Sequence, residues 1–296
     1  MTDIETILDM FRYCRPAGSK TERRFVQKYL SHFQRDPYKN LVKVIGDRPR
    51  ILFSSHVDTV HHEGGVQALS YKDGILTSLD RNCLGADDTA GIWLMLEMIK
   101  AGIPGVYVIH HAEEKGCIGS TDLAKFNPGF FKDIDIAIAF DRAYYDEVIT
   151  HQMGLRTASD AFAWSLANQL GQAYRPSPDG AYTDTNEYAH LVPECTNIAV
   201  GYSGQHTKSE KQDVPFLIAL RDALLQVKWD ELVVSRDPAK IEYQDWGWRP
   251  PARKRDVMTQ IVEDNPAAVA EILRAYGLNE RTLFEEIDAT WGFVAA

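Results

Sequence analysis

Two hydrophobic rhythms alternate along the chain. "RILFSSH" (50–56), "GVYVIHH" (105–111), "IDIAIAFD" (134–141) and "ECTNIAVGY" (194–202) contain short apolar runs with little polar alternation. Such runs predict strands buried on both faces. "LVKVIG" (41–46) reads as a further strand. "ALSYKDGILTSL" (68–79) places Asp73-Gly74 between two alternating runs, which predicts a β-hairpin. Between the strands the spacing turns helical: residues 2–14, "TERRFVQKYLSHF" with Thr21 near its start, "DDTAGIWLMLEMIKAG" closing at Gly102, "STDLAKF", "SDAFAWSLANQLG", and "SEKQDVPFLIALRDALLQV" with an internal Pro215. "RPAGSK" breaks the first two helices apart. Buried strands alternating with helices predict an α/β fold, with a mostly parallel central sheet and helices on both faces.

Composition narrows the function classes. The chain has 296 residues, 45% of them apolar, enough for one large α/β domain with an appendage. The net charge of −10 argues against a nucleic-acid partner and against an anionic membrane surface. The first residues show no basic segment followed by an apolar stretch, so no signal peptide is expected. No run approaches the length of a membrane span. Cys14, Cys83, Cys117 and Cys195 are scattered and form no CxxC pair, which predicts free thiols in a reducing cytoplasm. Four of the six tryptophans (Trp229, Trp246, Trp248, Trp291) lie after residue 228. A catalytic domain over 1–228 is therefore expected, followed by a Trp-rich, mainly helical extension over 229–296. The extension either packs back on the domain or supplies an oligomer contact or a wall of a cleft.

The polar residues at the strand ends carry the candidate chemistry. "SSHVDTV" places His56 and Asp58 two apart on an extended chain, facing the same side. Asp58 can then bond the ring of His56 and orient it, as a metal-ligating histidine requires. "LGADDTAG" puts Asp87 and Asp88 side by side, "HHAEEKG" does the same with Glu113 and Glu114, "AIAFDRA" ends at Asp141, and "GYSGQHTKSE" offers His206. Each has an ordinary alternative: acids favoured at a helix start, a cap or an Arg142 ion pair for Asp141, a surface loop for His206. Loops that follow parallel strands share one edge, however, so these groups can converge there. Buried like charges need a counter-charge, and two histidines with several carboxylates suit zinc, or manganese or cobalt.

The order HxD, GADDxAG, EExGxxGS, a strand-end Asp and a late His resembles the co-catalytic zinc exopeptidases, which include leucyl aminopeptidases, peptidase T and glutamate carboxypeptidase. The likeness runs from about His56 to Glu210. It implies two divalent metal ions, with His56 and Asp141 on one, Glu114 and His206 on the other, and Asp87 as the bridge. It implies Glu113 as general base, Asp58 as the residue orienting His56, and a cis Asp87–Asp88 peptide with Asp88 structural. Two dications bring four positive charges against three ligand carboxylates and a hydroxide, leaving Glu113 free. Asp58 and Asp87 have 28 residues between them, and His206 follows Asp141 by 65, too few for an inserted lid domain. Lidless relatives are mostly aminopeptidases, so the resemblance implies an aminopeptidase acting on short peptides. A deacylase of the same fold and an inactive binding homologue are the alternatives. His111, Arg142, Arg156 and Tyr202 are candidates for holding substrate. Asp184, with Glu187 three residues on, is expected to cap a helix at the pocket, and His61 and His62 to be plain loop residues.

Overall fold

The computed structural model describes residues 2–243, apart from 81 and 172, and residues 261, 262, 265–275 and 283. Contacts divide the chain into two units, Met1–Gln244 and Asp245–Ala296. In the second, the described helix spans Pro266–Ala275. The other helical residues expected in the extension, and Trp246, Trp248 and Trp291, lie outside the described residues.

The first unit is organised by an eight-stranded sheet. In chain order its strands are β1 (Gln34–Arg35), β2 (Leu41–Ile45), β3 (Ile51–His56), β4 (Gly105–His110), β5 (Ile136–Arg142), β6 (Glu147–Ile149), β7 (Arg175–Ser177) and β8 (Glu194–Ala199). In space they run β7-β6-β8-β5-β3-β4-β2-β1. The central four, β8, β5, β3 and β4, are mutually parallel. Antiparallel pairs begin on either side, β6 on β8 and β2 on β4. All six residues of β3, β4 and β8 are buried, which is why these segments read as unbroken apolar runs.

Period two sorts the core into two layers. Phe53, Tyr107, Ile109 and Ile138 point to one face and join the large cluster with Ile7, Trp93, Phe162 and Leu217. These come from helices α1 (Asp3–Phe11), α3 (Ala86–Lys100), α5 (Asp160–Leu170) and α7 (Val214–Leu224). Their sequence neighbours Leu52, Val106, Val108 and Ala137 point the other way and pack with Leu123 of α4 (Ile118–Phe126), Phe131 and Tyr188. The remaining helices are α2 (Lys20–Tyr29) and the short α6 (Asp184–Glu187). Helices therefore cover both faces, as the sequence pattern predicts.

Two local expectations are corrected. Pro215 is not internal to a helix: residues 211–213 form a strand, Asp213 caps the N–H of Phe216, and α7 starts around Pro215, where a missing N–H costs no bond. That strand pairs with Ile75–Ser78 of the expected hairpin and with Tyr202–Ser203, building a second, four-stranded antiparallel sheet that carries His206 on its connecting loop. Asp184 does not cap a helix through its side chain either. It is the first residue of α6, and its buried carboxylate accepts from Ser120 Oγ at 2.5 Å.

After α7 the chain runs back along the sheet. Trp229 packs edge-on against Phe53, with ring centroids 4.9 Å apart. Further on, the buried Glu194 carboxylate accepts the N–H of Ser159, the hydroxyl of Ser159 and the N–H groups of Ser235 and Arg236. Removing that acceptor leaves four part-buried donors without their common partner. Glu194→Ala should cost about 2–4 kcal/mol in urea unfolding, with faster amide exchange over 232–243. A loss under about 0.5 kcal/mol would mean this segment is not held there.

Candidate active site

Every expected site residue lies at the C-terminal edge of the parallel strands. β3 ends at His56, β4 leads into Glu113 and Glu114, and β5 carries Asp141 next to its last residue. Asp87 and Asp88 begin α3 but are not helical in backbone angle, and the peptide between them is cis, as the resemblance implies. Asp88 Oδ1 accepts the N–H of Gly91 at 2.9 Å, so the regular helix begins after the acids. Gly91 is required there. A Cβ would stand 2.5 Å from Asp88 Oδ1 and 2.7 Å from the carbonyl of Phe140. Gly119 of the EExGxxGS stretch is as confined, with a Cβ 2.1 Å from Asn40 Oδ1.

The side chains converge. His56 Nε2 is 2.9 Å from Asp87 Oδ1 and 3.6 Å from Asp141 Oδ1. His206 Nε2 is 3.1 Å from Asp87 Oδ2 and 3.1 Å from Glu114 Oε1. Among the described residues three groups of three have their donor atoms within 4.8 Å of one another, His56–Asp87–Asp141, Asp87–Glu114–His206 and His56–Glu113–Glu114, and Asp87 belongs to the first two. Glu113 Oε2 stands at 4.0 Å from His56 Nε2, and its Oε1 accepts from the buried Cys117 thiol at 3.5 Å. Behind the histidine, His56 Nδ1 faces the Asp58 carbonyl at 3.1 Å and its carboxylate at 3.5 Å. The Asp58 carboxylate also accepts the N–H groups of Glu113 and Glu114, so it orients both sides of the cleft.

The donor set fits divalent cations. Glu114 Oε1 is buried and forms no hydrogen bond among the described residues, although His206 lies beside it. An orphaned carboxylate oxygen between an imidazole and a second carboxylate is what a cation site leaves when its ion is set aside. Residues 40–194, 155 of the 296, match Peptidase family M28.

This chain is an M28 peptidase.

The matched stretch holds His56, Asp58, Asp87, Glu113, Glu114 and Asp141, and His206 lies beyond it. No curated protein matches the chain by sequence. Among solved structures it is similar to the aminopeptidase PepT from Bacillus cereus, with a TM-score of 0.63 and 16% identity over 76% of this chain and 96% of that one. A tripeptidase from Staphylococcus aureus gives 0.63 and 17%, over 76% and 96%. The TET1 peptidase of Pyrococcus horikoshii gives 0.61 and 14%, over 76% and 98%. At these identities the likeness establishes the shared fold.

Several supporting contacts around the site are not assigned by the sequence. Glu210 is buried and accepts the N–H groups of Leu84, Gly85, Ala86 and Asp87, clamping the loop that presents Asp87. Asn197 on β8 bonds both the N–H and the carbonyl of Asp141. Thr183 and Tyr202 donate to the two Asp141 oxygens. Arg15, fully buried, reaches Val57 O and Thr89 Oγ1 beneath the site. His61, read as a plain loop residue, is buried and hydrogen-bonded to Thr59 Oγ1 at 2.8 Å. Of the four substrate-holding candidates, Arg142 and Tyr202 line the cleft. Arg156 is tied instead to Asp160 and Glu242. His111 is fastened through its N–H to Asn40. A larger cavity of about 530 Å³ opens at the other end of the strands, where Ile51 and Ile136 start β3 and β5, and holds none of these groups.

Crowding shifts the titrations. Burial, with the nearby Asp141 and Asp87 charges, raises Glu113 to about 9. Burial and Asp87 raise Asp141 to about 6, and burial with Asp141 raises Asp184 to about 8. Asp87 and Glu114 raise His206 to about 11. Burial alone would lower His56, but Asp141, Asp58 and Asp87 hold it well above its ordinary value. Burial would likewise raise Asp87, yet His206 and His56 pull it below the usual carboxylate range. All the raised groups act in one direction. Stability from their protonated forms is complete below their ordinary pKa values and is lost as pH climbs through about 6, 8 and 9 for the acids and toward about 11 for His206. The depressed Asp87 is already ionised in that range and adds no slope. The metal-free protein should therefore melt at lower temperature at pH 8 than at pH 6, and the drop caused by a chelator should grow over the same interval. Thermal melts with metal loss confirmed by elemental analysis test this, and superimposable curves at both pH values would contradict it.

Proposed function

We propose that this M28 peptidase is an aminopeptidase-type exopeptidase acting on short peptides at a two-metal site. The observation that supports the reading is the pair of donor groups sharing Asp87, with Glu113, which groups with His56 and Glu114, beside them and outside that pair. His56 and Asp141 would hold one cation, Glu114 and His206 the other, with Asp87 between them. Zinc is the first expectation for two imidazoles and carboxylates, and manganese or cobalt follow. Bound there, divalent cations polarise a scissile carbonyl and acidify water.

The chain's own residues supply the rest. Asp58 and the Asp58 carbonyl hold the His56 ring with Nε2 facing the cleft. Glu113, anchored through its N–H to Asp58 Oδ1, accepts the proton of the attacking water on its carboxylate and returns it to the leaving amine. Asn197, Thr183 and Tyr202 fix Asp141, and Glu210 fixes Asp87, so the ligands need little rearrangement when the reaction begins. The PepT and tripeptidase structures, described as an aminopeptidase and a tripeptidase, support the choice of peptides over N-acyl amino acids. Four free, buried cysteines support a cytoplasmic setting. No helix among the described residues is long and apolar enough to cross a membrane. TET1 can assemble into a tetrahedron or a large octahedral shell, and self-association of this chain through residues after 228 is the corresponding expectation, read by light scattering.

Turnover of aminoacyl amides but not of N-acyl amino acids, with zinc, manganese and cobalt in turn, is the expected outcome. The reverse pattern would replace the peptidase reading with a deacylase. Glu113→Gln should keep its metal and lose about 10²–10⁴ in kcat. Near-normal turnover by the fully metallated variant would remove Glu113 from the chemistry. His206→Ala should lose one metal preferentially, whereas Asp87→Ala should weaken both. Two metals per chain at wild-type affinity in Asp87→Ala, counted on purified protein, would rule out the shared ligand.

A further inference from the structure

The cleft holds one permanent cation to which the reading above gives no task. Arg142 follows Asp141 directly and lines the same cavity as Asp87, Glu113, Asp141 and His206. Its Nε donates to Glu147 Oε2 at 2.7 Å. The other Glu147 oxygen accepts from Ser177 Oγ at 2.8 Å. Glu147 sits on β6 and Ser177 on β7, so strands that carry none of the metal-ligand candidates fix the direction of the guanidinium.

That ion pair uses one of five N–H donors. Among the described residues no acceptor is bonded to Arg142 Nη1 or Nη2. Arg236 shows what a purely structural arginine looks like in this fold. Its Nε, Nη1 and Nη2 all reach backbone carbonyls, at Pro193, Arg156, Ala189 and Val192. Arg142 is no more exposed than a wall residue should be, at 18% of its side chain, yet its outer edge is unused. The other walls of the cleft, including Ala143, Ala181, Tyr182 and Gln205, are uncharged. A planar guanidinium edge facing a small polar cavity is a carboxylate receptor, and it can serve two carboxylates at once.

We propose that Arg142 is a specificity-determining residue whose Nη edge binds a substrate carboxylate, so that the enzyme favours short peptides with an anion close to the scissile bond. The proposal rests on the peptidase reading of the site. The carboxylate has two possible sources: the free C-terminus of a dipeptide, or an acidic side chain on the first residue.

Substrate pairs that differ by one charge separate them. Leucylglycine against leucylglycinamide tests the C-terminus, and glutamyl against glutaminyl p-nitroanilide tests the side chain, both with the metal-loaded full chain. The charged member of one pair should show a kcat/KM higher by about tenfold or more, and the responding pair identifies the source. Arg142→Met should erase that preference, with kcat/KM falling about tenfold further on the charged member than on the neutral one. Glu147→Gln removes the competing carboxylate and should enlarge the preference. No preference in either wild-type pair, or an equal loss on charged and neutral members in Arg142→Met, would overturn the proposal. A wild type that cleaves none of the four would sink the peptidase reading instead, and thermal shift then decides the anion site. Stabilisation by leucylglycine but not by its amide, lost in Arg142→Met, would support the site, and equal shifts would overturn it.

Discussion

Asp87 stands between two imidazoles, and much of the architecture serves to hold that one carboxylate in place. His56 Nε2 meets one oxygen and His206 Nε2 the other. The two histidines come from different sheets. His56 ends a parallel strand at the centre of the main sheet, and His206 rides a loop of the small antiparallel sheet. A shared carboxylate is therefore where the two sheets are brought into register. Glu210 secures it from behind through four consecutive backbone N–H groups, and Asp88 ties the same loop to Ser55 on β3 and to the first turn of α3.

So many acids in one place would repel one another apart if all were left bare. The structure divides them by role. Asp58 and Glu210 accept backbone N–H groups, which favour the ionised carboxylate against the opposing effect of burial, and Asp58 also has the His56 ring beside it. Asp88 has the Ser55 hydroxyl, the Gly91 N–H and the attraction of the buried Arg15 guanidinium. Arg15 is a second answer to the charge problem, supplied by the chain itself from beneath the site. What remains around His56 Nε2 and His206 Nε2 is the smaller set of Asp87, Glu113, Glu114 and Asp141.

That division explains what could be read from the sequence. The acids and histidines at strand ends are conspicuous because each interrupts an apolar run or adjoins glycines whose missing side chains make room. His56, Asp87, Glu113, Glu114, Asp141 and His206 are all of this kind. Their supports are not. Glu210 meets the 84–87 loop more than 120 residues away in sequence, and Asn197 lies inside a strand where a lone polar residue looks like noise. The outer strands β6 and β7 escaped for another reason. They have three residues each, β7 contains Pro176, and neither shows a period long enough to count. Pro215 misled because helical spacing continues across it, while the strand before it takes its hydrogen bonds from a hairpin far upstream.

On the Arg142 proposal, the end of β5 carries both Asp141 and the guanidinium, while β6 and β7 set the direction of that guanidinium. The parallel centre is buried on both faces, and its strand ends can move little without disturbing the core, so it suits groups whose spacing must be kept within fractions of an ångström. The outer strands β6 and β7 have three residues each, and β7 is the one at the edge. β6 and β7 position Arg142 through Glu147 and Ser177 without touching the ligand cluster, and the loop that carries Ala181 and Tyr182 follows β7 directly. Residues in those outer elements can change the charge and shape of the cleft wall while His56, Asp87 and Asp141 keep their places. The chemistry can then stay constant in this M28 peptidase while β6 and β7 direct the group that selects its substrate.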